Sequence, residues 1–271
     1  MNIISVDVGW KEKTKRNAVA IAKPGKQIYF VASGLGDSDL IGLVRDHAQP
    51  RSLVLLDVPI EGCENLSGPR RPVEGALQHY VSLYPASMAG VRGLRLKEKL
   101  IQAMPEGIRA NVVIQETYPH AVYKFLWVAK QKGKLESVQS GVWQRVLDGS
   151  FTPLVSPPKY KGNITHDKRL KGMGELYNLL TEHLRLSFLP PLILPDRSLG
   201  CSRLEFLADG YDACLGAVVG LYCVSHSPYV WVAGDQSRGE ILLLADMWLK
   251  EQLERGGIEM RRLKMLWLTG K

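Results

Sequence analysis

The sequence predicts an α/β fold: a mixed five-stranded sheet, three antiparallel strands and then parallel strands, flanked by helices and interrupted by insertions. Three observations lead there. Residues 2–33 read as three strand-like runs joined by turns, residues 37–48 carry helical spacing, and two later apolar runs of strand length each end in an acid. Near-continuous apolar runs of that length suit parallel strands covered on both faces.

The elements follow in order. "NIISVDVG" is a strand that stops at Gly9, and the basic turn "KEKTKR" leads into "NAVAIAK". Pro24-Gly25 turns the chain again, and "QIYFVAS" completes an antiparallel meander. "DSDLIGLVRDHA" is a helix with Asp37 or Ser38 as its cap. "SLVLLDVPI" is a buried parallel strand; "ANVVIQETYPH" is another, with a helix from about Ala121 to Gln131 behind it. An antiparallel triplet, a crossover helix and a parallel strand form the opening of the ribonuclease H-like fold. Residues 62–110 are then an insertion. Residues 150–203, with Pro153, Pro157, Pro158, Pro190, Pro191 and Pro195, are a partly irregular connection around the helix "HDKRLKGMGELYNLLTEHLRL".

The bulk numbers fit this picture. A hydrophobic share of 45% and a charged share of 23% are those of a globular protein. At 271 residues the chain suits one domain or two, and without repeats or low-complexity segments a single domain over 1–271 is expected, ending in an unmatched tail over 235–271. "MNIISVDVGW" lacks the pattern of a signal peptide, and the longest apolar stretch, about 213–224, is some half of the ~20 residues a membrane span needs. Cys63, Cys201, Cys214 and Cys223 form no CxxC pair and have no histidines at zinc spacing, which points to reduced thiols and a cytoplasmic location. The net charge of +8 and a pI near 9.3 suit a polyanionic partner.

Chemistry enters with the acids. "FLADGYDACLGAVVGLY" is an apolar helix, yet Asp209 and Asp212 lie three apart and share a face. Ala213, Gly216, Ala217 and Gly220 continue that face, and small side chains let a helix lie close against a sheet. Alone, the pair is equally well read as a helix cap and a buried hydrogen bond. The strands change the balance. Asp7 follows "IISV", Asp57 follows "SLVLL" and Glu116 follows "VVIQ", so each strand delivers a carboxylate at the sheet edge where α/β sites form. Five clustered acids need cations. Asp7, Asp57 and Asp212 are the expected ligands of Mg²⁺ or Mn²⁺, with Asp209 and Glu116 as further ligands or orienters of water. Two metals at such a site activate a water and stabilise the leaving oxygen of a phosphodiester.

"ISVDVGW", "LLDVPIEG", "IQETYPHAVYKFL" and "LADGYDACLGA" resemble, in order, the main motifs of the predicted ribonuclease H-like nucleases called the domain of unknown function 429 family. The resemblance spans roughly residues 3–222. It implies a nuclease whose motif acids fall on Asp7, Asp57, Glu116, Asp209 and Asp212. A more distant similarity is to RuvC-type Holliday-junction resolvases, through Asp7, the fourth-strand acid and the Asp209/Asp212 pair. Members commonly have a glycine-rich stretch where this chain has "VGWKEKTK".

A phosphodiester substrate needs cations and stacking surfaces around the acids. Lys11, Lys13, Lys15, Arg16, Arg70, Arg71, the run Arg92–Lys99, Lys159, Lys161, Lys168, Arg169 and Lys171 are the basic candidates. Trp10, Tyr118 and Trp127 are the stacking ones, and His120 is a candidate phosphate contact or proton shuttle. Each has an ordinary reading as a solvated charge or a core contact. The expected partner is DNA or RNA, with no membrane, and the oligomeric state stays open, a homodimer included. Two other functions compete: an actin-like sugar kinase or ATPase using the Asp7-Val8-Gly9 turn for phosphate, and a nucleic-acid-binding module without chemistry.

Overall fold

The computed structural model describes residues 1–10, 15–25, 27–64, 66, 68–81, 85–131 and 157–264. The main sheet draws on β1 (Ile3–Asp7), β2 (Asn17–Lys23), β3 (Gln27–Leu35), β4 (Leu53–Asp57), β5 (Val113–Glu116) and β6 (Ser187–Phe188). Its helices are α1 (Asp37–His47), α2 (Pro72–Leu77), α3 (Arg92–Ala103), α4 (Glu106–Arg109), α5 (Pro119–Gln131), α6 (His166–Asn178) and α7 (Cys201–Val224). A second, three-stranded sheet follows from β7 (Val230–Asp235), β8 (Gly239–Leu244) and β9 (Met260–Arg261), with α8 (Met247–Arg255) before its last strand.

The strand order is β5-β4-β1-β2-β3-β6. β2 runs antiparallel to β1 and β3, while the β1–β4, β4–β5 and β3–β6 pairs are parallel. The five expected strands thus form in the expected directions. The sheet gains a sixth, a two-residue strand whose Ser187 and Phe188 pair with Gln27 and Ile28. Both faces are covered, which is why β1 and β4 read as continuous apolar runs. Ile3, Leu53 and Leu55 pack toward α7 and α5; Ile4, Val6, Val54 and Leu56 pack toward α1 and α3 through Leu40, Val44, Leu96 and Leu100.

Three features add detail to the expected picture. Within the stretch 62–110, α3 covers one face of the sheet, and Gly93 meets the Pro59 carbonyl so closely that a Cβ would lie 2.0 Å away. Of the stretch after Asp235, the described residues up to 264 pack against the rest: β7 and β8 form a hairpin, Thr117 Oγ1 donates to the Leu242 carbonyl at 3.0 Å, and the Arg262 guanidinium lies 3.5 Å from the Trp231 ring centroid. Finally, α7 begins at Cys201, so Asp209 lies two turns inside the helix. That helix is long and apolar enough by composition to cross a membrane, but 83% of its most apolar window is buried inside the molecule.

Candidate active site

Strand alternation sets the direction of the strand acids. Ile3, Ser5 and Asp7 share one face of β1, Leu53, Leu55 and Asp57 the same face of β4, and Asp7 and Asp57 are direct partners in the parallel register. The glycines of α7 bring the helix onto that face. A Cβ on Gly216 would stand 2.0 Å from Ser5 Oγ, and one on Gly220 2.3 Å from Ile3 Cγ2. One and two turns before Gly216, Asp212 and Asp209 meet the strand aspartates at the edge of the sheet. The expected helix pair and two of the three strand acids therefore converge.

Glu116 does not join them. It pairs with Leu56, one position short of Asp57, so alternation sends it to the other face together with Ile114. There it accepts from both terminal nitrogens of Arg71, at 2.8 Å on Oε2, and from the Ile60 amide at 2.9 Å. Arg71 is wholly buried and also binds Glu74 at 2.7 Å. This is an internal ion network, which removes Arg71 as well from the candidate substrate contacts.

Four aspartates need compensation, and two cations supply it. The Lys161 Nζ stands 3.0 Å from Asp7 Oδ2 and 2.9 Å from Asp209 Oδ1, and it ion-pairs with Asp212 Oδ2. Burial works against its charge, but the three carboxylates outweigh that and hold the ammonium protonated. Arg16 grips Asp209 through Nε at 2.9 Å and Nη2 at 3.2 Å and reaches Glu205 at 2.8 Å. The neighbouring Tyr160 donates its hydroxyl to Asp212 Oδ1. Asp57 has no ion pair among the described residues. Burial, aided by Asp7 and Asp212, pushes its carboxyl well above the usual range; burial likewise pushes Asp7 up to about 7 although Lys161 opposes it.

These groups open onto a cavity of about 720 Å³ that Trp10, Arg16, Tyr118, His120, Lys159 and Lys161 also line. Burial lowers the His120 pKa, so its imidazole is neutral at pH 7. Other candidates lie elsewhere. Arg169 holds the Gly162 carbonyl at 3.0 Å and Glu205 at 3.3 Å, bracing the turn that carries Lys161. Arg92 donates to the Gly9 carbonyl at 3.1 Å and to Asp37. Lys168 is exposed on α6 beside the helix cap, outside the cavity lining, Trp127 is buried in the core against Tyr123, and Lys11 falls outside the described residues.

Comparison with family models, curated proteins and solved structures finds no match.

Asp7, Asp57, Asp209 and Asp212 offer the cavity carboxylate oxygens, the kind a hard divalent cation takes, and Asp57 has no ion-pair partner among the described residues. In kind, the residues fit such an ion. Their present arrangement closes on an ammonium instead: among the described residues no three histidine, cysteine or carboxylate side chains stand at metal-ligating geometry. Sequence reasoning ranked Lys161 only as one cation in a basic run and missed Tyr160. Nothing periodic marks "PPKYKGN", and its pairing with α7 is a tertiary fact.

Proposed function

We propose that this protein is a metal-dependent nuclease with a ribonuclease H-like fold, hydrolysing phosphodiester bonds of DNA or RNA. The observation that carries the reading is the convergence of Asp7, Asp57, Asp209 and Asp212, from two strands and one helix, at the edge of one cavity. The β5-β4-β1-β2-β3 order with β2 reversed supports the fold assignment. Buried carboxylates of this density gain nothing in a simple binder of polyanions, which they repel.

Asp7, Asp57 and Asp212 would hold Mg²⁺ or Mn²⁺, which supplies a polarised water and charge stabilisation of the leaving oxygen. The chain's own residues do the rest. Asp209, held through both oxygens by Arg16, keeps Arg16 and Lys161 at the rim, where a phosphate enters. Lys159 adds positive charge to the same wall, and Trp10 and Tyr118 offer faces to bases. Neutral His120 is available to take a proton. The kinase reading gains no such support, since the Gly9 amide already donates to Asn17 Oδ1 at 2.9 Å and its carbonyl accepts from Arg92.

The test is Asp7→Asn, assayed with Mn²⁺ on labelled single-stranded, duplex and junction DNA and RNA. Cleavage by the native chain and its loss in the variant, with an unchanged circular dichroism spectrum, is the expected result; full activity in the variant would defeat the assignment.

A further inference from the structure

Three of the cavity's aspartates lie deep: Asp7, Asp209 and Asp212 are 8%, 3% and 6% exposed. A phosphodiester reaches them only by entering the cavity, whose volume of about 720 Å³ lies within the roughly 300–1,000 Å³ that enclose a ligand of nucleotide size. In a duplex the bases are paired and stacked, so passing one nucleotide inward costs unpairing. A single strand carries no such cost, because its bases turn out readily onto aromatic rings and guanidinium planes.

The surroundings of the cavity suit such a strand. Arg16 lines the cavity, and its guanidinium also lies over the Phe206 ring, 5.8 Å from the centroid. Phe206 sits one turn before Asp209 on the same face of α7, with its ring against Gly34, yet it stays 36% exposed. Among the described residues it is the only aromatic of the large apolar side chains that are exposed. Asp209 and Glu205 take three of the five N–H groups of Arg16, which leaves two to donate to a phosphate. Lys159 adds an exposed cation to the lining. Its carbonyl packs onto α6 at Gly172, where a Cβ would lie 2.2 Å from the oxygen, so its backbone is fixed in place. An exposed ring beside a cation is the pairing that single-stranded nucleic acid uses, with the base on the ring and the backbone on the charge.

We infer that the protein takes its nucleic acid as a single strand, with a base stacked on Phe206 and the adjoining phosphate on Arg16 as the strand enters the cavity. This rests on the nuclease reading and names its substrate class. Phe206 touches the strand outside the cavity and takes no part in the acid cluster.

The experiment measures binding by fluorescence anisotropy in EDTA, which stops metal-dependent cleavage. A short labelled strand of mixed sequence, as DNA and as RNA, and its duplex with the complement are each titrated with the native chain, Phe206→Leu and Phe206→Trp. The native chain is expected to bind the preferred single strand about tenfold tighter than the duplex. Phe206→Leu keeps apolar packing but loses the flat face; it is expected to weaken single-strand binding at least about fivefold and to leave duplex binding unchanged, while Phe206→Trp keeps the native affinity. Duplex binding as tight as single-strand binding, or a Phe206→Leu variant that holds the single strand as tightly as the native chain, would overturn the inference and leave the nuclease reading standing. No binding of any nucleic acid by the native chain would overturn both. The native comparison of strand with duplex decides the matter even if the Phe206 variants fail to fold.

Discussion

Arg16 and Asp209 form an unequal pair: the guanidinium side chain is 39% exposed and the carboxylate only 4%. Arg16→Ala therefore returns a flexible side chain to water but leaves a buried charge beside Asp212. The expected loss is about 1–2 kcal/mol of unfolding free energy, measured by urea denaturation in EDTA; no loss would show that Lys161 alone compensates Asp209. The same aspartates show what local sequence can express. Asp7 and Asp57 were legible because a two-residue period fixes their face within each strand, and Asp209 and Asp212 because a three-residue step fixes theirs on a helix. Glu116 ends a strand in the same way, yet its face depends on the β4–β5 register, which no pattern within "VVIQE" states. Arg71, fully buried, reads in sequence like any surface arginine beside a proline.

At the scale of an element, α7 matters through what it lacks. Gly216→Val places methyl groups where Ser5 Oγ now stands, and it is expected to cost about 1–3 kcal/mol and to weaken Mn²⁺ binding, because the helix must lift off β1 and carry Asp212 with it. Gly174→Ala on α6 is the control. Nothing lies within 4 Å of its added Cβ, so helix propensity alone acts and the change stabilises by roughly 0.5–1 kcal/mol in thermal or urea unfolding. If both variants behave alike, close packing at Gly216 is not what seats the helix. α1, α5, α6, α7 and strands β1 to β5 were readable from the sequence, whereas α2, α3, α4 and α8 were not; nor was β6, since two residues have no period. The β7–β8 hairpin did carry a signal: "YVWVAGDQSRGEILLL" has two apolar runs around a polar turn, in which Asp235 Oδ1 accepts from the amides of Ser237 and Arg238 at 3.0 Å each. Its charged surroundings hid it, because net charge describes a surface and says nothing of the strands beneath.

Across the whole molecule, Arg71 ties parts that are distant in sequence. It binds Glu116 at the end of β5, Glu74 of α2 and the Glu61 carbonyl, and a Cβ on Gly239 of β8 would lie 2.6 Å from it. The ion network at the end of β5 is thus packed against the second sheet at Gly239. Arg71→Met leaves Glu74 and Glu116 without a counter-ion and is expected to cost roughly 3–5 kcal/mol, in one cooperative transition by fluorescence and circular dichroism; separate transitions for the two sheets would show that they fold apart. That connection was beyond the reach of the sequence, which marks neither partner as the other's.

The cavity charges come from widely separated parts of the sequence, from Asp7 to Asp212. Lys161 reaches back 154 residues to Asp7, and Arg16 reaches forward 193 to Asp209. Any chain that stops short of α7, whether still being made or clipped, holds the strand aspartates but neither of their helix partners. On the proposed function, the cutting centre is therefore withheld from a growing polypeptide until synthesis has passed Asp212, and a copy that ends before α7 carries no unguarded nuclease.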